Sequence, residues 1–146
     1  MKKFAFSLQK MYDYKKQILE SEKNILMGLR REKNELLKRM EDLAQTMEDV
    51  RVKSGQEVVR GTTAAKLMFF SMQLDGIKRE QTQTKYEINI MDMKIEKQRR
   101  KVVSLSQDVS GLKKLRDEQK SEYDHLAAKE NENAIEEFLS FKLTAQ

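Results

Sequence analysis

Apolar residues recur along this chain at alternating steps of four and three. One run is Leu8, Tyr12, Lys15, Leu19, Glu22, Leu26, Leu29, Lys33, Leu36, Met40, Leu43, Met47 and Val50, with ten of its thirteen members apolar. A second passes from Leu67 through Phe70, Leu74, Ile77, Gln81, Thr84, Ile88, Met91, Ile95, Gln98, Val102, Leu105, Val109, Leu112, Arg116, Gln119 and Tyr123 to Leu126, with thirteen apolar residues in eighteen. A repeat of 3.5 residues sustained this long keeps one narrow seam turned toward a partner helix, which is the pattern of a coiled coil. Composition agrees. There is no proline to break a helix, glycine occurs only 5 times in 146 residues, and 36% of residues are charged against 38% hydrophobic. That supply fills a seam but not a thick globular core.

Between the two runs lies Lys53-Ser54-Gly55-Gln56-Glu57-Val58-Val59-Arg60-Gly61-Thr62-Thr63, where the apolar repeat lapses and two glycines fall. Gly55 is suited to the left-handed conformation that closes a helix, and Thr62 or Thr63 can cap the next one. At the front, Ser7 is placed to cap helix one, with Phe6 stapled onto Met11. The expected fold is all-α: a long antiparallel two-helix coiled coil with an overhanging second helix and a short C-terminal helical segment. As one domain over 1–146, it comprises helix one at about 8–53, a turn at about 54–62, helix two at about 63–130 and a tail at 131–146. Seam residues whose numbers add to about 117 should then face each other, setting Val50 by Leu67, Met47 by Phe70, Leu43 by Leu74, Met40 by Ile77 and Leu26 by Met91. Lys33 falls near Thr84 and Gln81, and Glu22 near Gln98; these are either polar layers that penalise slipped registers or tolerated defects near the seam edge.

Helix two outlasts its partner, and about 20 residues should project past the N-terminus at 1.5 Å of rise each. After Asn131-Glu132-Asn133, a short amphipathic piece carries Ala134, Ile135, Phe138, Leu139, Phe141 and Leu143. It can fold back onto Phe4 and Phe6 or dock on another protein.

Charge is segregated beyond the net +5: residues 1–16 carry five Lys and one Asp, 97–116 carry seven basic residues and one Asp, and 117–146 carry three Lys and eight acids. Antiparallel pairing superimposes the first two segments as a basic collar that includes Lys10, Lys15, Lys16, Lys97, Arg99, Arg100, Lys101, Lys113 and Lys114. Such a collar is either a solvated face or a contact for an acidic surface. Near the turn, Met68, Phe69 and Met72 lie off the seam that uses Leu67 and Phe70. Adaptable Met beside an aromatic anchor suits a protein-binding patch, the alternative being local packing against Val58 and Val59.

The sequence offers little to catalysis. It has no Cys and one His, which excludes thiol catalysis, disulfides and the usual Cys/His zinc sites. No phosphate-binding glycine loop, HExxH or Gly-x-Ser-x-Gly occurs. His125 sits among Glu122, Asp124 and Lys129, and acidic pairs such as Glu41/Asp42 and Glu136/Glu137 have no enclosed pocket to tune them. A non-enzymatic protein without catalytic residues, metal or cofactor is expected, with no small-molecule substrate. The opening Met1-Lys2-Lys3-Phe4-Ala5-Phe6 lacks a sustained apolar run, and none elsewhere approaches a bilayer span, so a soluble protein not exported by the general secretory route is expected, and the lack of Cys fits a cytoplasmic one.

The opening Lys3-Phe4-Ala5-Phe6-Ser7-Leu8-Gln9-Lys10-Met11-Tyr12-Asp13-Tyr14-Lys15, the Gly61 to Leu67-x-x-Phe70-x-x-x-Leu74-x-x-Ile77 start of helix two, and the ending Ile135-Glu136-Glu137-Phe138 together resemble the flagellar export protein family FliJ. The resemblance covers nearly the whole chain. It implies a stalk similar to the gamma subunit of rotary ATPases, inserted in the flagellar export ATPase hexamer and coupling it to the cytoplasmic domain of the export-gate protein. It also implies an escort for export chaperones, at the cytoplasmic face of the membrane at the flagellar base. Carried onto this sequence, Lys10, Lys15, Lys16, Arg99, Arg100 and Lys101 would face the ATPase. The gate contact would fall near the turn, at Phe70, Leu74, Ile77, Met40, Leu43 and Met47, with Met68, Phe69 and Met72 as the exposed members. Two rivals are a basic nucleic-acid-binding coil, favoured by a pI near 9.3 but opposed by the acidic tail, and a generic tentacle-like chaperone.

Overall fold

Two helices account for nearly all of the computed structural model, which describes residues 2–145. Helix α1 spans Gln9–Arg60 (52 residues) and α2 spans Ala64–Thr144 (81 residues), and no strand occurs among the described residues. Their interiors hold no proline and are rich in Leu, Lys, Glu, Gln and Met, residues that lose little side-chain freedom in a helix. The all-α hairpin expected from the heptads is the observed architecture.

The reversal is shorter and later than the expected turn at 54–62. It occupies Gly61 to Thr63, where Gly61 takes φ +87 and its N–H donates to the Val58 carbonyl at 3.2 Å. Thr63 opens α2: its Oγ1 accepts the Lys66 N–H at 3.3 Å and its carbonyl accepts the Leu67 N–H at 3.2 Å. That φ is accessible to glycine at little cost, and it is Gly61, not the expected Gly55, that closes α1. Apolarity lapses after Val50 but helical phase does not, because the next two seam positions are Ser54 and Glu57, both half-buried.

Two compact units are distinguished, Glu22–Lys101 and a second made of Met1–Ser21 with Val102–Gln146. In the first, Leu26, Met91 and Thr84 are the buried residues, and Thr84 turns its hydroxyl back to the Glu80 carbonyl at 2.8 Å. Lys33 pairs with Asp92 at 2.7 Å, Arg39 with Glu80 at 3.9 Å, and Glu57 with Lys66 at 4.0 Å. The numbers of these partners add to between 119 and 125, not 117. Moving the turn to Gly61 moves the register by several residues, so Lys33 meets Asp92 and not the Gln81/Thr84 layer.

In the second unit Phe6, Tyr12 and Leu19 are buried. Lys15 bridges to Asp108 at 3.2 Å. The Phe4 ring lies 5.6 Å from that of Tyr123, whose hydroxyl donates to the Lys2 carbonyl, and Lys120 stands over both rings. Ser7 is not the cap: α1 begins at Gln9, whose N–H donates to the Phe6 carbonyl at 3.0 Å. Phe6 is buried while Met11 is 50% exposed, so the apolar staple is one-sided.

The expected break at residues 131–133 is also absent. Helix α2 runs on to Thr144, since Asn costs a helix only about 0.7 kcal/mol relative to alanine and nothing after Gly111 interrupts it. Every described residue from 128 onward is exposed, and Phe4 is occupied by Tyr123, so the ending does not fold back onto Phe4 and Phe6.

All thirteen positions of the first heptad run are buried or half-buried, and in the second only Leu67, Arg116 and Leu126 are exposed. The two turn glycines therefore make opposite demands. An added Cβ meets nothing within 4 Å at either position, but Gly61 alone has positive φ. Gly55→Ala should stabilise the hairpin by about 0.5–1 kcal/mol and Gly61→Ala should cost about 1–2 kcal/mol, as read from urea unfolding followed by circular dichroism.

Candidate functional site

A two-helix seam has no interior beyond itself, so the candidate sites are surfaces. Near the turn, Met68, Phe69 and Met72 are 67%, 60% and 65% exposed, and Val59 is 88% exposed. The Phe69 and Phe70 rings sit 6.2 Å apart, with Phe70 turned into the seam. Leu74, Ile77, Met40, Leu43 and Met47 are likewise half-buried seam residues. The predicted gate set thus divides physically: six members hold the helices together and three stand clear of them. Val58 and Val59 are too exposed to bury Met68 or Met72 by local packing.

The six basic residues predicted to face the ATPase belong to different units. In the unit containing the N-terminal segment, Lys10 is exposed, Lys16 stands 5.1 Å from the centre of the Tyr12 ring, and Lys15 is spent on Asp108. In the unit Glu22–Lys101, Arg99 donates two hydrogen bonds to Glu96 at 2.9 and 3.0 Å and Arg100 a third at 3.3 Å. These bonds hold the Glu96 carboxyl down to about 2, below its ordinary 4.5, and raise Arg99. One carboxylate therefore offsets part of two arginine charges, as the i,i+3 and i,i+4 spacing from Glu96 allows.

Lys101 bonds Glu22 Oε1 at 3.0 Å, and Gln98 donates both to the Glu22 carboxylate and, at 3.0 Å, to its carbonyl. Here the expected Glu22–Gln98 proximity is a formed polar layer in the seam. Hydrogen bonding from Gln98, then from Lys101, lowers the Glu22 pKa, overcoming the opposing effect of its partial burial. Among the described residues, no group of three or more His, Cys, Asp or Glu side chains could hold a metal ion. No described helix is long and apolar enough to cross a membrane.

These features define a class: an antiparallel coiled-coil hairpin that leaves apolar and charged patches outside its seam. The chain belongs to the flagellar FliJ family, matching its description, flagellar FliJ protein, over residues 4–145. It is therefore a component of the flagellar export machinery. No curated protein and no solved structure matches it.

Because the folded-state pKa of Glu22 is depressed, its layer contributes stability above its unfolded value near 4.5, and this is lost as pH falls through the lowered folded value. Glu22→Gln should lower the thermal midpoint at pH 7, with the difference from the parent chain closing as the pH is taken below about 4.5. A difference independent of pH would remove the charged layer from the register.

Proposed function

We propose that this chain is the stalk of the flagellar export apparatus, binding the export ATPase hexamer and coupling it to the cytoplasmic domain of the export-gate protein. It performs no chemistry of its own. It works at the cytoplasmic face of the membrane at the flagellar base, associated peripherally, and escorts export chaperones. The observation that carries the gate contact is the Met68–Phe69–Met72 patch, which a chain of this family exposes next to its turn while spending Phe70, Leu74, Ile77, Met40, Leu43 and Met47 on the seam.

Exposed methionine and phenylalanine cost solubility without adding to packing within the hairpin, and a partner that covers them recovers their apolar area. The seam residues below act indirectly, fixing where the patch is presented. At the basic residues, Lys10 and Lys16 offer charge that no carboxylate among the described residues offsets, and Arg99, Arg100 and Lys101 offer charge already shared with Glu96 and Glu22. An acidic ring surface would have to compete with those internal partners, so the two groups should contribute unequally.

Phe69→Asp with Met72→Asp should leave helicity intact, weaken binding to the export-gate domain by tenfold or more, in order-of-magnitude terms about 1.4 kcal/mol, and block swimming. Normal motility in that double variant would contradict the patch. Charge reversal at Arg99 and Arg100 should weaken ATPase association more at low salt than at high salt, because exposed charges are screened. Equal binding by parent and variant at low salt would remove these arginines from the contact.

A further inference from the structure

Beyond Ala127, α2 keeps an apolar face with nothing on it. Ile135, Phe138 and Leu139, spaced i, i+3 and i+4, are 55%, 64% and 52% exposed, and Leu143 one turn on is 75% exposed. Glu132 and Glu136, at 100° per residue, run along the Leu139 edge of that face. Among the described residues no side-chain hydrogen bond or ion pair engages either of them.

A surface of opposite character lies in the unit Glu22–Lys101. There a shallow groove is lined by Leu29 and Gln98 and bordered by Lys94, Lys97 and Lys101. Ile25, one turn before Leu29, is 48% exposed. Lys101 is engaged by Glu22, whereas Lys94 and Lys97 have no carboxylate partner among the described residues. The three lysines repeat at steps of three and four, the same one-turn repeat that separates Glu132 from Glu136.

Groove and tail are matched in polarity: lysines border the one and glutamates run beside the apolar face of the other.

We propose that residues 132–143 of one molecule dock in the Lys94–Lys97–Lys101 groove of a second copy of this chain, Phe138 and Leu139 covering Leu29 while Glu132 and Glu136 pair with Lys94 and Lys97. The net charge along α2 favours such a pairing, since 97–116 carries seven basic residues and one acid, and 117–146 eight acids and three lysines. Each copy holds one tail and one groove, so two molecules can make the contact twice and close a dimer. This inference stands apart from the stalk reading and does not require it.

The test is sedimentation equilibrium on the full chain at low and high salt. The expected result is a dimer whose dissociation constant rises about tenfold or more between 50 and 500 mM salt. Phe138→Asp with Leu139→Asp should be helical and monomeric, and Lys94→Glu with Lys97→Glu should weaken the dimer by a similar factor. Mixing that lysine variant with Glu132→Lys, Glu136→Lys should restore association. The chain has no cysteine, so a mixture of Leu139→Cys and Lys97→Cys chains should form disulfide-linked pairs of the two. A monomer up to about 200 µM, far above any specific dissociation constant of interest, would overturn the proposal. So would a dimer unchanged by the lysine variant, or cross-links only between two Leu139→Cys chains.

Discussion

A pair of helices has one seam, and each helix can bury only the residues that point along it. That geometric limit decides which of this chain's large apolar side chains are structural. Leu19, Leu26 and Met91 fall on the seam and are 8% exposed each, while Met68, Phe69 and Met72 fall off it and are 60% exposed or more. Burying a leucine-sized side chain contributes about 1.5–3 kcal/mol, so the hairpin gains most of its stability from the seam set and almost none from the off-seam set. What remains outside must be tolerated by solvent or covered by another molecule.

Register determines which off-seam residues stand near one another. Gly61 sets the reversal point, and the layers Lys33–Asp92 and Glu22–Gln98–Lys101 tie α1 to α2 within the unit Glu22–Lys101. A polar layer adds less stability than leucine would, but a slip of one heptad strands its charges in the seam without partners. Thr84, 1% exposed, avoids that cost locally by returning its hydroxyl to Glu80 of its own helix. The other unit is tied by Lys15–Asp108 and by the clamp of Lys2, Phe4, Tyr123 and Lys120.

Much of this was legible in the heptads, because a 3.5-residue repeat names the buried face directly: the seam positions listed from Leu8 to Val50 are all sheltered. The turn was harder to read because Ser54 and Glu57 keep helical phase without being apolar, so a lapse in hydrophobicity resembled the end of a helix. With the turn misplaced by a few residues, the facing pairs shifted too, although Glu22–Gln98 lay close enough to either register to survive. The Asn131–Asn133 stretch resembled a break for a similar reason, a weak helix former being taken for a helix end. The clamp of Phe4 on Tyr123 left no periodic signal, since Phe4 precedes α1. Among the surface residues, the exposed patch followed from the seam by subtraction. The offset of Arg99 and Arg100 by Glu96 was readable from spacing but obscured by counting net charge over a segment.

On the proposed function, this chain acts by seating in a ring of export ATPase subunits. The measurement that tests it most directly is light scattering of the chain mixed with its cognate export ATPase, with ATP turnover followed in the same samples. One chain per hexamer and raised turnover are the expected result. A hexamer that forms and turns over ATP identically with and without the chain, with no chain bound, would contradict it.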